Sequence, residues 1–273
     1  MIEQTTDGRW LHRIRQSSIS EYDMCAERWR LNQVVDAHPT LYKRERDGAA
    51  LGTACHAAAE ACLLHQIATG EPLSLQDTLL TFEEEWHGTH VDMYTSYPSH
   101  DKAAAIGASK IEVWYNELLP TINPLAVEET FERLLFEDSM RSVYLTGTVD
   151  VVCDDTLIDW KFPKGDYTRE KWRYQRASIQ ATVYTWAMEM PSLTFGVIHG
   201  TSDPKASTMT ITRDESDWKW LHHKVRAMCQ SIESAPRPFP MRDDGWWCSE
   251  KWCDAWTLCK GQQLSWPLQI QEK

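Results

Sequence analysis

The sequence predicts an α/β fold in which a helical N-terminal half leads into a β-β-β-α-β-β run, a helix and a cysteine-bearing tail. Three observations carry this. Residues 49–66 (AALGTACHAAAEACLLHQ) are Ala-rich and strongly helix-favouring. Residues 143–152 (VYLTGTVDVV) and 156–161 (TLIDWK) are short runs rich in β-branched and aromatic residues, joined by Cys153-Asp154-Asp155, which suits a hairpin turn. Beyond residue 168 the apolar spacing returns to a helical period.

In chain order, residues 17–35 (SSISEYDMCAERWRLNQVV) predict a helix capped by Ser18 or Ser20. Helices over 49–66, 74–94 and 101–119 follow, and Pro120 and Pro124 close this helical part, about 17–120. Strands are expected over 126–136, 143–152 and 156–161, then a helix over 168–190. A strand pair over 193–200 and 207–212 precedes a helix over 214–234, ended by Pro236, Pro238 and Pro240. The reading is one domain, its α/β core at about 125–235, with a helical elaboration before it and a Trp- and Cys-rich tail after it.

The 273 residues are 42% hydrophobic and 25% charged, an ordinary globular composition. No apolar run approaches the ~18 residues of a membrane span, and the first residues lack a signal-peptide core. A cytoplasmic location is expected. The net charge of −12 argues against a protein that simply coats nucleic acid and suits a carboxylate-rich, metal-dependent site.

Asp150 ends the run LTGTVD, and Asp159-Trp160-Lys161 follows on the next expected strand. Side chains alternate along a strand, so Asp159 and Lys161 point to one face. A hairpin brings Asp150 toward Asp159, and two carboxylates and an ammonium converge. Such oxygens hold Mg²⁺ or Mn²⁺; the metal acidifies water and neutralises phosphate charge, and the lysine steadies the developing pentacovalent phosphate. The alternative is a surface hairpin with solvated charges. Ile158 and Phe162 indicate a partly buried strand, where unpaired charges are expensive. In the following helix Arg169, Arg173, Arg176, Gln180 and Tyr184 form one stripe, beside an apolar stripe of Trp172, Ile179, Val183 and Trp186. Residues 161–176 hold six Lys/Arg against two Asp/Glu, a set that can hold phosphates or remain a solvated face.

Gly147-Thr148-Val149-Asp150, Asp159-Trp160-Lys161 and Gln180-Ala181-Thr182-Val183-Tyr184 resemble the GxxD, (D/E)xK and QxxxY motifs of RecB-like nucleases of the PD-(D/E)XK superfamily. Upstream, Gly52-Thr53-Ala54-Cys55-His56 resembles that branch's helix with a metal-binding histidine; His56 and Glu60 share a face. The resemblance implies a restriction-endonuclease-like core, a central mixed sheet flanked by helices. It implies that His56, Asp150, Asp159 and the backbone carbonyl of Trp160 bind the catalytic metal, that Lys161 is the catalytic lysine, and that Gln180 and Tyr184 edge the site. Glu128 or Glu129 is a candidate outer carboxylate.

Of eight cysteines, Cys248, Cys253 and Cys259 fall within twelve residues. Clustered thiols in an intracellular chain read as metal ligands, and four thiolates hold an iron–sulfur cluster or zinc. The stretch around Cys25 resembles the first-cysteine segment of the iron–sulfur RecB-like nucleases, the branch of the AddB helicase–nuclease subunit and the CRISPR-associated prespacer-trimming nucleases. There, one N-terminal and three C-terminal cysteines bind a 4Fe–4S cluster that joins the chain ends, here the 246–261 segment to Cys25. The usual CxxCx5C spacing is Cx4Cx5C in this chain. Cys55, Cys62, Cys153 and Cys229 read as packing residues.

The resemblance implies a metal-dependent DNA exonuclease of phage or prokaryotic recombination, repair or processing, acting in a prokaryotic cell or phage-infected host. Its substrate is single-stranded or end-containing DNA, and a recombinase or single-strand-annealing protein is a candidate partner. Some relatives form rings, which leaves a homo-oligomer open. Two alternatives stand beside it: a CRISPR adaptation nuclease, and a non-catalytic DNA-binding scaffold of the same fold. No GxxxxGK[ST] loop is present to power unwinding.

Overall fold

The computed structural model describes residues 2–35, 44–167, 169–235, 239–242 and 244–260. Its strands are β1 (Ile2–Gln4), β2 (Trp10–Arg15), β3 (Ala126–Glu137), β4 (Arg141–Val152), β5 (Leu157–Lys161), β6 (Ser192–His199) and β7 (Lys205–Thr212). They form one mixed sheet in the order β1-β2-β4-β5-β6-β7, with β3 also paired to β4. The β2/β4 and β5/β6 pairs are parallel and the others antiparallel. The α/β class is therefore as the sequence predicts, and the central mixed sheet is as the resemblance implies. β1 and β2 were outside that prediction, although β2 carries a period-2 signal: His12 and Ile14 are buried, and Leu11, Arg13 and Arg15 between them are not.

The helices are α1 (Gln16–Met24), α2 (Ala26–Val35), α3 (Asp47–Thr69), α4 (Leu75–Gly88), α5 (His100–Val113), α6 (Arg169–Arg176), α7 (Ile179–Ala187) and α8 (Glu215–Ser234). Two of the expected helices are broken. The first divides at Cys25, whose backbone is extended (φ −163°), and it begins at Gln16 without a side-chain cap, so Ser18 and Ser20 lie inside it. The helix expected over 168–190 divides after Arg176, where Ser178 is extended. Pro236 and Pro238 lie outside the described residues.

The helices cover both faces of the sheet. Side chains of α1, α2, α7 and α8 pack on Leu145, Val149, Leu157, Phe195 and Val197. Those of α3, α4 and α5 pack on Val151, Ile158, Trp160 and Ile198. Strand alternation produces the split: neighbouring residues Leu157 and Ile158 go to opposite cores. Trp86 and Trp114 are fully buried in the second core. Truncating a buried Trp costs about 3–5 kcal/mol, so α3, which carries His56, has a firm backing.

Candidate active site

β4 is paired unevenly along its length. Its residues Arg141–Thr146 pair with β2 and Val151–Val152 pair with β5. Gly147–Asp150 lies between those two ladders. On the β3 side, pairing runs through Val149↔Glu129 and Val151↔Val127 and passes over Asp150 and Glu128. Glu128 has φ +50°, a left-handed conformation that is strained for a non-glycine residue. The acids thus sit where the sheet opens, reached from both helical layers. Gly147 is required there: a Cβ would lie 2.7 Å from the Phe131 ring and 3.3 Å from that of Tyr184.

His56 Nδ1 lies 3.3 Å from Asp150 Oδ2. The Trp160 backbone N–H donates to the same carboxylate at 2.7 Å. One ligand atom each from His56, Glu128 and Asp150 fall within 4.8 Å of one another. Asp159 stands beside this group with both oxygens engaged: Lys161 Nζ is 2.6 Å from Oδ2, and Gln180 Nε2 donates to Oδ1 at 2.5 Å. Tyr184 packs edge-on against Phe131 at 5.9 Å. The start of α3 is pinned by the buried Asp47 carboxylate, which accepts N–H bonds from Gly48, Thr95, Ser96 and Tyr97. The group opens into a cleft of about 570 Å³ whose walls include Gly52, Thr53, Thr148, Phe162 and Pro163.

The electrostatics suit a cation. Burial, then the neighbouring Asp159 carboxylate, pushes Asp150 well above the usual carboxylate range. Burial, then Glu60 and Asp159, raises Glu128 as well. Each acid resists ionisation until positive charge arrives. Burial lowers His56 and favours the neutral, ligating imidazole. At Lys161 burial favours the neutral amine, but Asp159 outweighs it and the ammonium is stabilised. Burial pushes the Tyr184 phenol up to about 12, so it stays protonated.

The structure brings together His56, Asp150, Asp159, Trp160, Lys161, Gln180 and Tyr184. It also moves Glu128, expected only as an outer carboxylate, into the group with His56 and Asp150; Glu129 is exposed. The basic stripe is not continuous. Gln180 and Tyr184 belong to α7, whereas Arg173 and Arg176 are exposed on α6 and line a separate hollow with Trp172 and Met209. Arg169 opens α6, its side chain lying outside the described residues.

Cys25, Cys248, Cys253 and Cys259 all line a second cavity of about 300 Å³, with Arg28, Trp247 and Trp256. The tail is docked at several points. The Phe239 N–H donates to buried Glu27, and Asp254 receives Arg44 at 2.9 Å and Arg46 at 2.8 Å. Arg46 directly precedes α3. Cys55, Cys62, Cys153 and Cys229 are buried elsewhere. Residue 261, the end of the expected cluster segment, lies outside the described residues.

A family model described as the PD-(D/E)XK nuclease superfamily matches residues 13–260. No curated protein matches the chain. Among solved structures, a putative exonuclease from Eubacterium rectale superposes with a TM-score of 0.57 at 10% identity, covering 96% of this chain and 91% of that one. An alkaline exonuclease from Laribacter hongkongensis gives 0.32 at 11% identity, over 66% and 92%. A phage-related exonuclease from Haemophilus somnus gives 0.32 at 14%, over 74% and 98%. These likenesses concern the fold, and only the first superposes closely enough to bear on it. No described helix is long and apolar enough to cross a membrane.

Proposed function

We propose that this chain, which belongs to the PD-(D/E)XK nuclease superfamily, is a divalent-metal-dependent deoxyribonuclease of the RecB-like branch, acting as an exonuclease. The observation that carries the reading is the convergence of His56, Glu128 and Asp150 beside the Asp159–Lys161 pair. The donor set fits Mg²⁺ or Mn²⁺: hard oxygens, one imidazole, and two carboxyl groups that favour ionisation only next to a cation. His56, Glu128 and Asp150 would hold the ion, with Asp159 and the Trp160 carbonyl adjacent. A bound ion supplies an acidified water and neutralises charge on the scissile phosphate.

The chain's own residues do the rest. Asp159 keeps Lys161 charged and aimed along the cleft, where the ammonium donates to a phosphate oxygen or to the attacking water. Gln180 holds Asp159 in place, and Tyr184 edges the site. The exposed Arg173 and Arg176, with Arg169 on the same helix, offer phosphate contacts further along the strand. The substrate is DNA with a free end or a single strand, and the setting is phage or prokaryotic recombination and repair.

The cysteine cavity is read as a 4Fe–4S site that staples the chain's two ends. Zinc is the rival occupant of the same four thiolates, and the resemblance to the iron–sulfur branch favours the cluster. The test of the main reading is cleavage of end-labelled linear and circular DNA, single- and double-stranded, with Mn²⁺ or Mg²⁺. Metal-dependent loss of linear DNA alone supports it; no cleavage of any substrate, or cleavage in excess chelator, defeats it. Anaerobic protein should be brown with about four irons per chain; zinc without iron removes the cluster reading.

A further inference from the structure

Lys110 is fully buried in α5, on the stripe it shares with Ala103, Gly107, Ile111 and Trp114. Lysine is almost never found there without a partner. Its Nζ donates to the Phe162 carbonyl at 3.2 Å and to the Pro163 carbonyl at 2.5 Å. The parallel β5/β6 ladder ends at Lys161↔Val197, so those two carbonyls follow the last strand pairing. Left unpaired inside the protein they would each cost free energy. Burial pushes the pKa of Lys110 down to about 8, so holding the charge there works against desolvation.

The two residues held from behind are cleft residues in front. Phe162 and Pro163 line the cleft, and the Phe162 ring lies edge-on to His56 with centroids 5.5 Å apart. They follow directly on Trp160 and Lys161. α5 packs tightly on α3 and α4: a Cβ on Gly107, one turn before Lys110, would lie 2.2 Å from the Phe82 ring and 2.7 Å from Leu51.

We propose that Lys110 is a positioning residue for the active site: by gripping the Phe162 and Pro163 carbonyls it fixes the chain leaving β5 and the wall against which His56 lies. The inference rests on the nuclease reading. It touches neither DNA nor metal itself and acts through the peptide planes and the Phe162 ring.

The test compares Lys110→Met, which keeps the stem and removes every donor, with Lys110→Gln, which keeps an uncharged amide donor group on a shorter stem, and with Asp159→Ala as a control. The readouts are the Mn²⁺ dissociation constant of the DNA-free protein by calorimetry, and kcat and KM for DNA. Lys110→Met should weaken Mn²⁺ binding about tenfold, the usual effect of removing support behind a metal ligand, and lower kcat with little change in KM; Lys110→Gln should fall between it and wild type. If Lys110→Met yields no folded protein, Lys110→Gln carries the measurement. Wild-type Mn²⁺ affinity and kcat, with only a lower Tm, would overturn the proposal by showing a purely structural role. Undiminished cleavage by Asp159→Ala would instead defeat the assignment of the reaction to this site, and the Mn²⁺ affinity of the Lys110 variants would still decide whether Lys110 braces the cleft wall.

Discussion

The cleft at Asp150 and the cavity at Cys253 are both lined by side chains gathered from remote parts of the chain, and they are held by different means. In the cleft every group stands on a strand or a long helix and is braced by a neighbour. Asp159 is held by Gln180, Asp150 by the Trp160 N–H, and the start of α3 by Asp47. In the cavity Cys248 lies in a bend, Cys253 in irregular chain and Cys259 in a turn directly after a short 3₁₀ segment (Trp256–Leu258). Only Cys25 sits at a helix boundary. The difference teaches that a site of hard ligands can be preorganised by the fold, which bears the cost of buried charge. A site of thiols on loops leans on whatever it binds for its order.

The largest expected effect separates the two regions. Asp159→Ala or Lys161→Ala should reduce Mn²⁺- or Mg²⁺-dependent cleavage about 10³-fold or more while leaving iron content and far-UV circular dichroism unchanged; loss of iron in either variant would break the separation. Cys253→Ser should do the converse, removing the brown chromophore and lowering Tm on the order of 10 °C; a wild-type melt would show that the cavity contributes nothing to the fold. Glu128→Gln should weaken Mn²⁺ binding about tenfold, read by calorimetry, and an unchanged affinity would return Glu128 to an outer role.

Two smaller effects sharpen the contrast. Asp150 has a raised pKa, so its ionisation opposes folding of the metal-free protein: stability present below its ordinary pKa falls as pH rises toward the raised value. Asp150→Asn should therefore raise the metal-free Tm by roughly 2–4 °C while abolishing cleavage, and should flatten the pH dependence of Tm; a lowered Tm would show that the carboxylate is structural. Arg173→Ala should weaken DNA binding and reduce the salt slope by about 1, and an unaltered slope would remove α6 from the DNA path.

The sequence made the side chains of the candidate site legible because most belong to a short motif with a fixed period. Asp159 and Lys161 share a strand face, and the hairpin from Cys153 brings Asp150 across. What escaped was set by tertiary context. The helix breaks at Cys25 and after Arg176 answer to packing rather than to propensity, since neither site holds Pro or Gly. Glu128 was visible as an acid, but its left-handed backbone and its place in the ligand group arise from a gap in pairing between β3 and β4. Lys110 carried a faint signal, a cation on an otherwise apolar helical stripe, with nothing local to say which carbonyls it meets.

The docking of the tail on Arg44, Arg46 and Glu27 has a consequence in time. Translation delivers Cys25 and the two arginines early, and Asp254 and the other three thiols only after β7 and α8. Every strand is thus made before the cavity has all of its walls. A chain that folds as it emerges builds the cleft first, and any cofactor for the thiols must be inserted into a molecule whose sheet already exists.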